Sequence, residues 1–151
     1  MARIRVSVGR DDAAAVYPLL VEFGRAAKLP EPFSTQEEFV DVWGSLLDSG
    51  AAFMVLAEED GRLVGILGAL VGPRIYWASL GAQEAFWWVT PEYRGKMLGI
   101  RMLKMFEDEA RRRGCKVAGA GHKTFFMAEE MSGLYKRLGY SSLETIYQKE
   151  L

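Results

Sequence analysis

The chain has 151 residues, 50% of them hydrophobic, which suffices for one domain with a true core and is too little for two. A net charge of −1 with no lysine-rich arm argues against a nucleic-acid binder that works by neutralising phosphates. The single cysteine, Cys115, excludes an internal disulfide and fits a reducing cytoplasm, no window approaches a membrane span, and the start, with Arg3, Arg5 and Arg10, lacks the apolar core of a signal peptide.

The first predicted element is a half-buried strand in which Ile4, Val6 and Val8 alternate with Arg3, Arg5 and Ser7. Asp11 and Asp12 stand where a helix begins, suited to its dipole and able to cap it. Val16, Leu19, Leu20, Phe23, Ala26 and Ala27 form the apolar stripe of that helix, which ends by Leu29 because Pro30 and Pro32 cannot continue it. Ser34 to Glu37 reads as a capping box opening a second helix that buries Phe39, Trp43, Leu46 and Leu47 and stops near Ser49 and Gly50.

Two apolar runs follow, Ala52 to Ala57 and Leu63 to Val71, joined by Glu58-Glu59-Asp60-Gly61, where the Asp-Gly pair marks a hairpin. Their continuous apolarity predicts strands covered by helices on both faces. Gly72 and Pro73 break the run, and an irregular piece with Tyr76 and Trp77 leads into a strand over Ala85 to Val89. Beyond the glycine-bearing loop at 94 to 99, a helix buries Met102, Leu103, Phe106 and Ala110 and closes at Gly114. A short strand over Val117 to Gly121, a helix marked by Met127, Met131, Leu134 and Leu138 and closed by Gly139, and a terminal strand over Tyr140 to Lys149 complete the order β-α-α-β-β-β-α-β-α-β.

The chemistry concentrates between Glu84 and Gly114. A strand that turns through Arg94-Gly95-Lys96-Met97-Leu98-Gly99 into a helix aims unpaired backbone N–H groups one way, at the positive end of the helix dipole. Such a loop is an anion site, and phosphate is the anion whose oxygens accept several N–H bonds at once. An ordinary strand-to-helix turn with a surface Arg and Lys satisfies the loop pattern equally well.

This stretch resembles motif A of the GNAT acetyltransferases, which commonly reads V-x-P-x-x-R-G-x-G-[IL]-G: Val89, Pro91, Arg94, Gly95, Leu98 and Gly99 match, and Met97 stands where the family has its central glycine. Leu134-Tyr135-Lys136-Arg137-Leu138-Gly139-Tyr140 resembles the family's L-Y-x-x-x-G-[FY] segment, while Ala128 occupies the place of a frequent asparagine. The element order matches the family over essentially the whole chain. The resemblance implies a single N-acetyltransferase domain over 1–151 of mixed α/β (α+β) class, its central sheet mostly antiparallel and flanked by helices on both faces.

It also implies acetyl-CoA as co-substrate, without a metal. The loop Arg94, Gly95, Lys96, Met97, Leu98 and Gly99 would hold the pyrophosphate, and the backbone of Trp87, Trp88 and Val89, on a strand that splays from its neighbour, would bond the pantetheine arm and polarise the thioester carbonyl. Tyr135 is the candidate acid for the departing thiolate, a phenol with a reference pKa of about 10 being protonated at neutral pH. Glu84, by period two on the face of Phe86 and Trp88, is the candidate base for the amine, whose reference pKa is about 10.4. His122, the only histidine, is a second candidate at the substrate side.

The aromatic residues Tyr76, Trp77, Phe86, Trp87 and Trp88 are either core or the wall of an acceptor pocket closed by the Pro30 to Phe33 loop. The candidate substrate residues are accordingly Phe33, Trp77, Phe86 and His122, with Glu31 placed to meet a cationic acceptor. The expected partner is an amine on a small molecule or a peptide, with no nucleic acid or membrane, and the terminal strand is compatible with a homodimer. Beside the enzyme stands an alternative, a sensor that binds acyl-CoA without turnover, which Met97 and the missing asparagine would mark.

Overall fold

The structure is a computed structural model that describes residues 1–124 and 126–151. The described residues form two compact units, Met1–Gly121 and His122–Leu151. In the first, β1 (Arg3–Val6) precedes α1 (Arg10–Ala26) and α2 (Gln36–Ser49), followed by β2 (Ala52–Glu59), β3 (Arg62–Pro73), β4 (Leu80–Val89), a single 3-10 turn (Pro91–Tyr93), α3 (Leu98–Arg112) and β5 (Cys115–Gly119). The second holds α4 (Ala128–Arg137). The five strands form one sheet in chain order, antiparallel from β1 to β4 and parallel between β4 and β5.

Helix starts differ from the sequence reading by small, explicable amounts. Gly9, not an aspartate, caps α1. Asp12 instead reaches back to accept a bond from the Val8 N–H at 2.7 Å while Arg5 grips both its oxygens at 3.0 and 2.7 Å. The capping box of α2 is one residue later than expected: Thr35 Oγ1 accepts from the Glu38 N–H at 3.2 Å and Glu38 accepts from the Thr35 N–H at 2.7 Å. The Asp60-Gly61 hairpin has both residues at positive φ, 50° and 74°, as a two-residue turn between twisted strands requires.

The sheet separates two cores. On one face α3 lies against all five strands and buries Met102, Leu103, Phe106 and Ala110, the face expected from their spacing. Each larger apolar side chain there contributes about 2 kcal/mol by leaving water. Phe106 stacks on Phe53 with ring centroids 6.0 Å apart. Buried Glu109 is the exception on this helix, and it is held by Arg112 at 2.6 Å and Arg113 at 2.7 Å. On the other face α1 and α2 cover β2, β3 and β4 with an aromatic layer in which Trp43 meets Phe86 edge-on at 4.9 Å and Phe23 stacks on Trp88 at 5.6 Å.

Strand β4 begins at Leu80 and is twice as long as its sequence pattern suggested, because the exposed residues of its first half gain a ladder on β3 and a second one on β5. The predicted terminal strand is absent: residues 140–151 carry no regular secondary structure. Leu143, Ile146 and Tyr147 are all exposed and do not keep a period of two, so no continuous apolar edge exists to recruit a ladder.

Candidate functional site

The ladder between β3 and β4 shifts register between Gly68 and Ala69. Gly68 pairs with Phe86 and Ala69 pairs with Glu84, so Ala85 is an extra residue, a β-bulge. Successive ladder pairs face opposite sides of a sheet. Phe86 and Trp88 therefore point toward α1 and α2, whereas Glu84 lies on the α3 side with Ala69. This corrects the expectation that Glu84 shares a face with Phe86 and Trp88: unbroken alternation assumes no bulge, and the bulge at Ala85 reverses it. The Glu84 carboxylate accepts a bond from the Gly121 N–H at 3.0 Å, at the end of the segment that follows β5.

The parallel ladder between β4 and β5 runs only from Leu80 and Cys115 to Gln83 and Gly119, while β4 continues to Val89. Among the described residues the half of β4 from Glu84 onward therefore has no strand on its β5 side. A Cβ at Gly119 would run into the Gln83 side chain, so glycine there lets that side chain lie across the last ladder pair.

The loop itself is tightly built. The Thr90 N–H donates to the Val64 carbonyl at 2.9 Å, and the 3-10 turn closes with Tyr93 on Thr90 at 3.0 Å and Arg94 on Pro91 at 3.2 Å. Gly95 at φ 74° and Met97 at φ 61° then steer the chain into α3, which starts at Leu98. Met97 thus takes the left-handed backbone that favours glycine, at a cost of about 1 kcal/mol for a residue with a Cβ. Met97 is 61% exposed, so its side chain meets little that would oppose this conformation.

No side chain caps α3 and no acidic residue lies in its first turn. The N–H groups of Leu98, Gly99 and Ile100 precede any intrahelical acceptor, and the helix dipole adds positive potential to them. The Lys96 ammonium lies 5.6 Å over the Tyr93 ring. The Glu59 carboxyl is held below the usual carboxylate range, first by the N-terminal ammonium and in smaller part by Tyr93 and the charge of Lys96, which places this carboxylate beside the loop. Gly99 has a packing reason: a Cβ there would come within 3.2 Å of the Trp87 ring.

The remaining predicted residues are distributed as follows. Val89 offers its carbonyl to Arg94 Nε at 2.9 Å, and Trp87 and Trp88 face opposite sides of β4, against α3 and α1 respectively. Phe86 is 5% exposed and enclosed by Phe39 and Trp43, a core residue. Phe33 packs on α1 where Gly24 leaves room for its ring, and Glu31 pairs with Arg25 at 3.1 Å. Trp77 lies in the β3–β4 hairpin under the Arg74 guanidinium at 4.0 Å, at the end of β4 remote from the loop. Phe33 thus packs on α1, Phe86 against α2, and Trp77 in the β3–β4 hairpin. In the second unit His122 is exposed with Nδ1 3.3 Å from the Lys123 carbonyl, and Tyr135 packs on Tyr140 at 5.5 Å, whose N–H bonds to the Tyr135 carbonyl.

Sequence reasoning missed Glu22. Its carboxylate accepts from the Trp88 indole N–H at 3.3 Å, while the Arg94 guanidinium lies 4.4 Å over the same ring. A carboxylate on the polar side of α1 carries no pattern that distinguishes it from a solvated one.

With this geometry in hand, the comparisons agree. The acetyltransferase (GNAT) family profile matches residues 13–140. No curated protein matches the chain in sequence. Similar solved structures include a ribosomal-protein-alanine N-acetyltransferase from Brucella melitensis biovar Abortus, 21% identical with TM-score 0.75, covering 100% of this chain and 99% of its own. An aminoglycoside acetyltransferase from an uncultured soil metagenomic sample is 18% identical with TM-score 0.81, over 100% of this chain and 99% of its own. An acetyltransferase from Clostridium acetobutylicum, determined with acetyl-CoA, is 13% identical with TM-score 0.81, over 99% of this chain and 96% of its own.

Proposed function

Because the chain belongs to the GNAT acetyltransferase family, we propose that it moves an acetyl group from acetyl-CoA to a primary amine by direct transfer in a ternary complex. The observation that carries this reading is the nearness in the chain of two backbone features: the first turn of α3, which no side chain caps, and the β4 edge beyond Gln83, which has no strand beside it among the described residues. The first suits a pyrophosphate and the second an extended amide-bearing arm. The acceptor is a small-molecule amine first, with a protein N-terminus or lysine next. The substrates in the names of two structural neighbours, an aminoglycoside and a ribosomal-protein alanine, support an amine.

Acetyl-CoA supplies an activated thioester. The loop from Arg94 to Gly99 holds its phosphates, and β4 backbone N–H groups orient the arm and take up charge on the carbonyl oxygen. Glu84, on the α3 side of β4, accepts the proton that the amine must lose before it attacks. Tyr135 gives a hydrogen bond to the thiolate released when the carbon–sulfur bond breaks, and solvent then supplies the proton, since full transfer from a phenol of pKa about 10 to a thiolate whose thiol titrates at about 8.5 is uphill. Met97, in the left-handed backbone that favours glycine, supports retention of the phosphate grip.

Thermal unfolding with acetyl-CoA, CoA and ATP tests the coenzyme. At ligand about a hundredfold above its dissociation constant the stabilisation is about 2.7 kcal/mol, a rise of roughly 5 to 10 °C at this size. A rise with acetyl-CoA and none with ATP is expected; equal rises would point to a general nucleotide site. With an amine panel, acceptor-dependent thiol release that falls about a hundredfold in Tyr135→Phe is expected. Coenzyme binding without any such release would leave a sensor in place of an enzyme.

A further inference from the structure

The contacts of Arg94 point away from the anion it was expected to bind. Its Nε–H donates to the Val89 carbonyl at 2.9 Å, so the side chain folds back onto the strand that precedes it. Its guanidinium carbon lies over the Trp88 ring, 4.4 Å from the centroid. Trp88 faces the α1 side of β4, where Phe23 stacks on it at 5.6 Å and Glu22 accepts its indole N–H at 3.3 Å. Trp87, on the opposite side, packs against Gly99 in the first turn of α3. The strand therefore lies between the guanidinium and the helix whose N-terminus forms the anion site.

We propose that Trp88 is a positioning residue: its indole, anchored to α1 through Glu22, clamps Arg94, and Arg94 braces the loop from behind without pairing with phosphate. This rests on the reading of the 94–99 loop as the coenzyme site. The physical reason is pre-organisation. The loop passes through two residues at positive φ, Gly95 and Met97, and has no capping side chain to hold its entry into α3. A guanidinium fixed at one end to the Val89 carbonyl and across its face to an indole supplies that restraint, and the affinity it adds comes from ordering the N–H groups before the ligand arrives. Helix α1 thereby becomes part of the coenzyme grip.

Calorimetric titration of the full chain with CoA, on wild type, Trp88→Leu, Arg94→Ala and the double variant, tests the clamp. Each single change is expected to weaken CoA about five- to tenfold, and the double variant to be no weaker than Arg94→Ala alone, because both remove one device. Trp88→Phe, which keeps an aromatic face but loses the bond to Glu22, is expected to weaken CoA measurably yet less than Trp88→Leu does. Losses that multiply in the double variant, or a Trp88→Leu equal to wild type, overturn the proposal. Arg94→Ala, an exposed change, gives an independent arm if Trp88→Leu does not fold. Its effect is expected to be the same at about 0.05 and about 0.5 M NaCl, whereas a direct ion pair with phosphate is screened over that range. An effect that shrinks with salt overturns the bracing role; a wild type that does not bind CoA at all overturns the coenzyme reading instead.

Discussion

Met97 and Asp12 show how single residues carry strain or charge for their surroundings. Met97 holds φ 61° with its side chain in solvent, so only its Cβ opposes the conformation. Met97→Gly is therefore expected to stabilise the protein by about 1 kcal/mol, raising the thermal midpoint by about 2 to 4 °C, a gain that calorimetry reads directly. Asp12 is held below the ordinary carboxylate range, first by its hydrogen bond from Arg5 and next, after the opposing effect of burial, by the Val8 N–H. A carboxylate depressed in the folded state stabilises above its unfolded pKa, about 3.9, and loses that contribution as pH falls through the folded value. Asp12→Asn is expected to cost about 2 kcal/mol in urea unfolding at pH 7, with the gap to wild type narrowing as pH falls below the unfolded carboxylate value of about 3.9.

The strands and helices place the site by their register. The bulge at Ala85 reverses the side-chain alternation of β4, sending Glu84 to the α3 side while Phe86 stays among α1 and α2. Gly68 makes that arrangement possible, since a Cβ there would meet the Phe86 ring, itself enclosed by Phe39 and Trp43. Gly68→Ala is expected to cost about 1 to 3 kcal/mol by overpacking, measured as a lowered denaturant midpoint at unchanged slope. A cost below about 0.5 kcal/mol would show that the ring has room to shift. Helix α3 works the other way: its buried stripe was readable from spacing alone, and the same helix then brings its uncapped first turn against Trp87 of β4.

For the molecule as a whole, one buried thiol reports on opening. Cys115 starts β5, is 8% exposed, and burial pushes its thiol up from its ordinary value, which lowers the thiolate fraction. Labelling by a disulfide reagent at pH 8 is expected to be far slower in the native protein than in urea, and to accelerate with denaturant in step with unfolding; fast native labelling would show that β5 opens locally.

Composition, the 3.6-residue spacing of α1 to α4, the Asp-Gly hairpin and the loop motif were all determined by the sequence itself, because each depends on neighbours within a few residues in the chain. These were enough to identify the family and to single out the loop at 94 to 99. The tertiary structure alone decided the rest. The bulge at Ala85, the end of the β4–β5 ladder at Gln83, and the packing of Trp88 between Phe23 and Arg94 arise from register between strands and from helices distant in sequence. The missing terminal strand is of the same kind. A strand pattern states which residues could face inward; only a partner strand, with its own register, determines whether they do.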